Sequence, residues 1–359
     1  MFDFISAWYR RYLSDPQASL LVVVLAAAFI MVYFLGSMLA PLLAAIIIAY
    51  LLEGAVSRLE RHNMPRLLAV ILVFLLFLVF MIFLLVVLLP LLSQQASELF
   101  QELPAMINKG QDLLLRLPKE HPEIISEEAV REVIVAFRGG ISRMGQGLVS
   151  FSLASIPAIV SALVYLVLVP LMIFFLLKDK ALILFWLRRF LPADRNLMSH
   201  LWEEMDAQIG NYIRGKVYEI MIVGATAYLV FQLVFDLNYA PLLALTVGLS
   251  VLIPYIGAAV VTLPVALVGY LQFGWGAEWA WLIVAYLILQ FLDGNILVPI
   301  LFSDVVNLHP IAIIVAILVF GGLWGFWGVF FAIPLATLVK ALINVWPTTE
   351  PVTERAEAP

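Results

Sequence analysis

Cysteine is absent from this sequence, and charged side chains are scarce. Without thiols, disulfide bonds, thiolate zinc sites and cysteine redox chemistry are excluded. Charged residues make up 13% of the 359 positions and hydrophobic residues 64%, whereas soluble domains average about 25% and about 45–50%. A core of this chain length cannot bury so much apolar surface. We therefore expect lipid to be the solvent for much of the chain.

Basic stretches and metal-ligand motifs are also missing. The net charge is −5, and no long run of Lys or Arg is present to bind nucleic acid. One segment, from Gly210 to Lys216, copies the spacing of a phosphate-binding loop, but Val217 stands where that loop requires Ser or Thr. We expect no cofactor, no metal and no enzyme active site, since the four histidines are scattered without a His-Glu-x-x-His pair: His62, His121, His200 and His309.

Long apolar runs predict a multi-pass membrane protein. A spanning helix needs roughly 20 apolar residues, and the first run, 18–35, is longer than the apolar core of a typical signal peptide. Its cleavage candidate, after Ala40, is followed by Pro41, so we expect this helix to be retained. A hinge at Gly36-Ser37 is expected to separate it from a second span. The further candidate spans are 38–53, 67–92, 151–177, 217–235 and 280–301.

Two polar segments divide these runs. Residues 93–150 carry eight acids and six bases and are broken by prolines, which predicts a small extracytoplasmic domain of amphipathic helices. In 178–216 apolar residues recur every four positions, which predicts a cytoplasmic amphipathic helical segment. The expected organisation is three transmembrane helices in 1–92, the 93–150 domain, helix four in 151–177, the 178–216 segment, a transport core in 217–345 and a disordered tail in 346–359.

Lys and Arg in the short loops predict the orientation of the chain. Three arginines lie between the second and third candidate spans, and the 178–216 segment holds seven Lys and Arg. Both segments fall on the same side of the membrane as the amino terminus, which carries Arg10 and Arg11. We therefore expect the amino and carboxy termini to be cytoplasmic.

The carboxy-terminal half contains two interrupted apolar segments. Asn238-Tyr-Ala-Pro241 begins the first and Asn307-Leu-His-Pro310 the second, and a second proline follows 23 or 24 residues later, at Pro264 and Pro334. The interruptions are Ile253-Pro254-Tyr255-Ile256-Gly257 and the glycine-rich run 321–328. We expect an internal duplication in which 242–271 and 311–343 each form a re-entrant hairpin. Two full spans are the alternative.

The predicted fold is an all-α polytopic membrane protein with about six to eight transmembrane segments, two of them re-entrant hairpins in an inverted repeat. Paired broken helices in inverted halves are typical of a transporter's solute site. Broken backbone inside a membrane is tolerated only where protein or a water-filled cavity satisfies its polar groups. The alternative is that Pro and Gly merely kink packed helices.

Asp293 is the most informative single residue, because it lies in the otherwise apolar span 280–301. An Asp at the centre of a bilayer costs on the order of 2.5–3.5 kcal/mol on insertion scales, so it needs a partner or water. The residue predicts a proton or cation site or a hydrogen-bonding anchor for a solute. The alternative is a structural role beside the break at Gly294.

A series of motifs in the carboxy-terminal half follows a recognisable order. The residues are Ile253-Pro254-Tyr255-Ile256-Gly257, Gln290 to Asp293, Asn295, Pro299, His309-Pro310, Gly325, Gly328 and Pro334. Together they resemble the autoinducer-2 exporter (AI-2E) family of permeases. The resemblance implies a multi-pass protein of the bacterial inner membrane that forms a homo-oligomer, with a pentamer as one candidate, and exports a small solute. Some relatives are associated instead with sodium or lithium/proton exchange, so substrate is implied less firmly than fold.

Three functions are compatible with these features. The first is export of a small polar metabolite such as autoinducer-2, either facilitated or proton-coupled. The second is Na⁺(Li⁺)/H⁺ antiport centred on Asp293, and the third is a non-transporting scaffold whose 93–150 domain binds a partner. The expected partners are membrane lipid, a small polar solute, H⁺ or Na⁺, and further copies of the chain. The candidate transport residues are Pro254, Tyr255, Gly257, Gln290, Asp293, Asn295, Pro299, Pro310, Gly325, Gly328 and Pro334.

Overall fold

The computed structural model describes residues 16–114, 155–189, 196–302 and 308–345. Across these ranges the regular secondary structure is helical and no strand is formed. Within the same ranges six helices are long and apolar enough to cross a membrane, or up to seven if one bent pair counts as a span. The predicted all-α polytopic class is confirmed. Much of the predicted 93–150 domain and the 346–359 tail lie outside the described residues.

Two very long helical stretches form the amino-terminal half. Helix α1 (Pro16–Arg61) continues through Gly36 and contains Pro41 in its interior, whereas the sequence predicted a hinge at Gly36-Ser37. A Cβ on Gly36 would meet no neighbour within 4 Å, so no packing contact forces a bend there. After a turn, three elements follow end to end: α2 (Arg66–Phe83), a π-helical turn (Leu84–Leu88) and α3 (Leu89–Leu114).

Helix α4 (Ser155–Lys178) bends by 80° into the short helix α5 (Lys180–Arg188). Charged side chains hold this corner to the end of α1. The Arg66 guanidinium lies 3.2 Å from Glu53 and donates to the Leu177 carbonyl at 2.6 Å, and Lys180 lies 3.0 Å from Glu53. The acid at the end of α1 therefore joins three helices.

Helix α6 (Asn196–Leu229) continues directly into a second π-helical turn (Val230–Val234). The sequence had divided this stretch between the amphipathic 178–216 segment and the 217–235 span. Its glycines do not break the helix. Gly210 and Gly215 instead make room for the rings of Tyr50 and Phe302. The side chain of Phe302 would lie 2.6 Å from a Cβ on Gly215.

The chain forms two compact units, which are treated separately below. The first comprises the described residues within Met1–Val70, Met172–Glu219 and Gly294–Pro359, and the second those within Ile71–Leu171 and Ile220–Asp293. The core of the first unit includes Tyr212, Phe302, Ile317 and Ile333. The fully buried residues of the second include Val247, Val265, Leu282 and Tyr286.

The two interrupted segments of the sequence become two helical hairpins. Helix α7 packs against α8 in hairpin 1, and α11 packs against α12 in hairpin 2. Hairpin 1 belongs to the second unit and hairpin 2 to the first. The elements are α7 (Ala240–Ser250), α8 (Ile256–Phe273), α9 (Ala277–Leu292), a third π-helical turn (Asp293–Leu297), α10 (Val298–Phe302), α11 (Pro310–Phe330) and α12 (Ala332–Val345).

Candidate transport site

Hairpin 1 turns at the interruption that the sequence predicted, between Ser250 and Ile256. Its backbone is largely bonded within the turn. The Ile253 N–H donates to the Ser250 carbonyl at 3.1 Å, and the Gly257 N–H donates to the Ile253 carbonyl at 2.9 Å. The break therefore leaves fewer backbone groups for a solute than a fully unwound segment would.

Gly257 allows the two legs of hairpin 1 to meet at the turn. A Cβ at this buried position would collide with the carbonyl group of Ser250. The obstacle is backbone, which cannot rotate aside as a flexible side chain can. Glycine is needed here for close approach.

Tyr255 is the strained residue of this turn. Its backbone has φ 62° and ψ −51°, a region that side-chain-bearing residues occupy at a cost of order 1–3 kcal/mol. Its side chain is 63% exposed, so burial does not offset that strain within the chain. Because its backbone is strained and its side chain is exposed, Tyr255 is a candidate contact for a solute.

A chain of neutral hydrogen bonds ties hairpin 1 to α9. The side-chain amide of Gln290 donates to the Tyr286 hydroxyl at 2.7 Å, and that hydroxyl donates to the Ala258 carbonyl at 3.1 Å. Tyr286 is fully buried, and the Thr262 hydroxyl lies 3.3 Å from its oxygen. Because every member is neutral, this network suits a solute with hydroxyl or carbonyl groups better than an ion.

Asp293 ends α9 and opens the third π-helical turn. Such turns insert one residue into a helix and are frequent at functional sites. Gln290 lies three residues earlier, which places the two side chains on the same side of the helix. Asp293 is half-buried. In the part of the chain that the structure describes, no group of three or more His, Asp or Glu side chains comes together to hold a metal ion.

The start of hairpin 1 is held by α3 of the same unit. The Leu242 N–H, in the first turn of α7, donates to the Gln95 side-chain oxygen at 3.0 Å. Tyr239 precedes α7 with a left-handed φ of 60°. Burial, followed by the hydrogen bond and charge of Glu102, raises the pKa of Tyr239. Hairpin 1 is therefore positioned by polar contacts at its start as well as at its turn.

Hairpin 2 turns within the glycine-rich run. Gly325 interrupts α11 with φ 58° and ψ −133°, which glycine adopts readily because it lacks a Cβ. A Cβ on Gly328 would collide with the Phe320 carbonyl, as a Cβ on Gly257 would with that of Ser250. Both predicted interruptions are therefore real turns of the backbone.

The two carbonyl groups that an added Cβ would meet, those of Ser250 and Phe320, lie at nearly equal distances along the sequence from the first proline of each segment. Ser250 follows Pro241 by 9 residues (250 − 241), and Phe320 follows Pro310 by 10 (320 − 310). This match in backbone packing is independent of the proline spacing from which the duplication was predicted. It supports the interpretation of the two hairpins as copies of one unit.

Hairpin 2 is braced by α6 of the same unit. The Tyr212 hydroxyl donates to the Phe330 carbonyl at 3.0 Å, five residues after the turn at Gly325 (330 − 325). The Tyr212 ring is 1% exposed and lies 5.8 Å from the Phe302 ring, centroid to centroid. Aromatic packing and one hydrogen bond therefore fix the carboxy-terminal side of this turn.

The predicted site residues fall into two sets. Those in the second unit surround the turn of hairpin 1 or the end of α9: Pro254, Tyr255, Gly257, Gln290 and Asp293. Those in the first unit are Asn295, Pro299, Pro310, Gly325, Gly328 and Pro334. Pro310 is exposed at the first position of α11, a place that favours proline, and Pro334 is buried in α12. These two prolines have structural roles that account for their positions.

Two features were not predicted from the sequence. Tyr286, at the centre of the neutral network, looked like one more aromatic residue in an apolar span. Glu219 forms an ion pair with Lys216 at 2.7 Å, and both residues are buried. The available signal was an acid one helical turn after a lysine, within the predicted 217–235 span.

Comparison with known proteins covers nearly the whole chain. The sequence profile of the family described as "AI-2E family transporter" matches residues 21–348. The chain is 49% identical over 347 residues to the "Putative permease PerM" of Escherichia coli (strain K12), covering 97% of this chain and 98% of that protein. It is 26% identical to the "Putative transport protein YueF" of Bacillus subtilis (strain 168), over 86% of this chain and 84% of that protein.

Proposed function

This chain belongs to the AI-2E family of transporters, and from that premise we propose that it exports a small, neutral, polar solute, with autoinducer-2 as the candidate. Its relatives are named as a permease and as transport proteins, which indicates transport rather than catalysis. The proposal places the protein in the bacterial inner membrane with both termini in the cytoplasm. It includes assembly of several copies of the chain.

The observation that carries the proposal is the neutral network beneath the turn of hairpin 1. Gln290, Tyr286 and the Ala258 carbonyl form a hydrogen-bonded series next to the buried apolar residues Val265 and Leu282 of the second unit. Polar groups buried in a membrane are retained where they serve a solute path or support one. Autoinducer-2 is a small furanone rich in hydroxyl groups, and amide, hydroxyl and carbonyl groups are its natural partners.

The lengths of the helices favour re-entrant hairpins. Helix α7 has 11 residues, and the part of α11 before the turn at Gly325 has 15 (324 − 310 + 1), which correspond to about 16 Å and about 22 Å of helix. The hydrocarbon core of a bilayer is about 30 Å thick. One leg of each hairpin is therefore too short to cross, so each turn would lie within the membrane, where solute groups can reach it.

The test is flux of labelled autoinducer-2 in proteoliposomes that contain the full chain. Gln290→Leu removes the amide while leaving the Tyr286 hydroxyl bonded to Ala258, so hairpin 1 keeps its tie to α9. We expect solute flux at low concentration to fall by about tenfold, the equivalent of about 1.4 kcal/mol. Gln94→Leu is the matched control, because Gln94 is exposed and bonds to Glu98 on its own helix.

The other outcomes separate the competing functions. Equal flux in the wild type and Gln290→Leu would remove the neutral network from the solute path. No flux above that of empty liposomes, together with Na⁺- or Li⁺-dependent proton movement abolished by Asp293→Asn, would identify an antiporter. Absence of both activities would favour the scaffold function.

A further inference from the structure

Lys216 and Glu219 form a buried ion pair within helix α6. The Lys216 Nζ lies 2.7 Å from a Glu219 carboxylate oxygen. The two residues are 4% and 2% exposed. They belong to the candidate span Met205–Val234, and Glu219 stands halfway between its ends. A pair of opposite charges is thus enclosed within a candidate membrane span.

The Phe302 ring and the hydrophobic cluster around it lie next to this pair in the first unit. The Lys216 Nζ lies 5.2 Å from the centre of the Phe302 ring. The hydrophobic residues packed around Tyr212 and Phe302 come mainly from α1, α6, α10, α11 and α12. The charged side chains next to Tyr50 of α1 are Asp206 and Arg214 of α6. The Tyr50 hydroxyl donates to the Asp206 carbonyl at 2.8 Å. The Lys216 ammonium thus contacts both the Glu219 carboxylate and an aromatic ring.

A purely structural role explains such a pair poorly. Removing two charges from water costs more than their attraction returns in many proteins, and apolar residues of similar size often stabilise as well or better. Ionisable groups inside membrane spans are, by contrast, the usual carriers of proton relays. The retention of a carboxylate here points to a step that requires it to change charge.

The pair is connected to hairpin 2. Tyr212 lies one helical turn before Lys216 and two turns before Glu219, so the three side chains share one face of α6. The Tyr212 hydroxyl is the donor to the Phe330 carbonyl at the turn of hairpin 2. A change of charge at Glu219 would therefore act on side chains that hold this turn.

We propose that Glu219 is the proton-binding carboxylate of the transport cycle and that Lys216 positions it. This proposal rests on the proposed export function and extends it from solute to coupling ion. A proton from one side of the membrane binds a Glu219 oxygen and converts the carboxylate to the neutral acid. The Lys216 ammonium then loses its attraction to the Glu219 charge, the α6 face that holds hairpin 2 rearranges, and the same proton leaves on the other side.

The first measurement separates coupling from solute movement in proteoliposomes of the full chain. Glu219→Gln keeps the shape of the side chain and removes the proton site. We expect exchange of labelled autoinducer-2 at equal pH to persist within about twofold, while accumulation driven by a pH gradient is lost. Glu203→Gln, an exposed acid on the same helix, is the matched control and should retain both activities. Gradient-driven accumulation that survives in Glu219→Gln overturns the proposal.

A second variant keeps the test informative if a lone buried lysine prevents folding. Lys216→Met combined with Glu219→Leu removes both charges with little change in volume, an exchange that buried ion pairs often tolerate. If the pair serves stability alone, this double variant will keep gradient-driven accumulation, and the proposal fails. If Glu219 carries the proton, the double variant folds, elutes as the wild type does and shows no response to the gradient.

A third measurement does not depend on the solute. Because the chain has no cysteine, Phe326→Cys in hairpin 2 gives a single reporter thiol at an exposed position. Its maleimide labelling rate is compared at acidic and alkaline pH, with Glu219 present and in the Glu219→Gln background. We expect a pH dependence that the second background lacks, beyond the thiol's own titration. Identical profiles overturn the link to hairpin 2. A difference without solute flux in the wild type supports the link while rejecting the export function.

Discussion

Hairpin 1 and hairpin 2 are built around the same backbone contact. At the turn of hairpin 1 the Ser250 carbonyl faces Gly257, and at the turn of hairpin 2 the Phe320 carbonyl faces Gly328. In each case the contact leaves no room for a Cβ. The two hairpins therefore obey one geometric rule, although few residues of one match those of the other.

The hairpins differ in what braces them. Hairpin 1 is tied to α9 by neutral groups, from Gln290 through Tyr286 to the Ala258 carbonyl. Hairpin 2 is held by Tyr212, whose helix also carries the buried Lys216–Glu219 pair. Neutral hydrogen-bonding groups can exchange partners with a polar solute, whereas a buried carboxylate responds to protons. In the proposed mechanism, one turn geometry therefore serves two tasks: hairpin 1 contacts the solute and hairpin 2 responds to protons.

The largest predicted effect comes from filling the shared contact. Gly257→Ala and Gly328→Ala each place a methyl group against backbone, which cannot move aside. Overpacking usually costs about 1–3 kcal/mol, and we expect both variants to reach or exceed the upper end. Thermal unfolding in detergent, followed by size-exclusion chromatography, measures the loss.

Gly322→Ala is the control, because a Cβ at Gly322 would meet nothing within 4 Å. In a helix, replacement of Gly by Ala typically stabilises by up to about 1 kcal/mol, so this variant should unfold at the same temperature or higher. If Gly257→Ala were as stable as Gly322→Ala while Gly328→Ala was not, the two turns would not depend on the same glycine–carbonyl contact.

The positions of the turns were predictable from sequence, because Pro254, Gly257, Gly325 and Gly328 act locally. Proline removes an N–H and glycine permits close approach or positive φ, whatever the rest of the fold does. Helix content and the approximate number of spans were predictable for a similar reason, since long apolar runs have few alternatives to a membrane helix.

The braces were harder to predict because they depend on which helix faces which. In a helix that is apolar on all sides, periodicity identifies no buried face, so Tyr286 could not be distinguished from exposed aromatic residues nearby. Glu219 was discoverable in principle as an acid within a span, one turn from Lys216. The continuous course of α1 through Gly36 shows the opposite limitation, since glycine permits a hinge but does not impose one.

An intermediate effect is expected where one hydroxyl braces each hairpin. Tyr212→Phe leaves the partly buried Phe330 carbonyl without its donor, which should lower the free energy of unfolding by about 1–3 kcal/mol. In Tyr286→Phe the Ala258 carbonyl still accepts from the Thr262 hydroxyl at 2.8 Å, so we expect a loss of about 1 kcal/mol or less. Unfolding in denaturant compares the two.

The order of the two losses is the informative result. A smaller loss for Tyr212→Phe than for Tyr286→Phe would mean that the neutral network, and not the α6 contact, is the stronger brace. The argument that hairpin 2 is controlled through α6 would then lose its structural basis.

The smallest effect is expected at the starts of the hairpins. In hairpin 1 the Leu242 N–H donates to Gln95 of α3 at 3.0 Å, a partly buried contact. In hairpin 2 the Ile311 N–H donates to the neighbouring His309 ring at 3.3 Å in an exposed position. Water can replace the second cap but not readily the first.

Helix caps contribute about 0.5–2 kcal/mol. We expect Gln95→Leu to lower the stability of the first turn of α7 by an amount in the lower half of that range. The effect of His309→Ala on the first turn of α11 should be smaller. Hydrogen exchange at the first turns of α7 and α11 measures both, with Gln94→Leu as the control on α3. Faster exchange in α7 alone would show that the start of hairpin 1 is held by α3. The start of hairpin 2 would then need no such contact, and hairpin 2 would depend on its contact with α6 near the turn. Equal changes would indicate that the two hairpins differ at their braces and not at their starts.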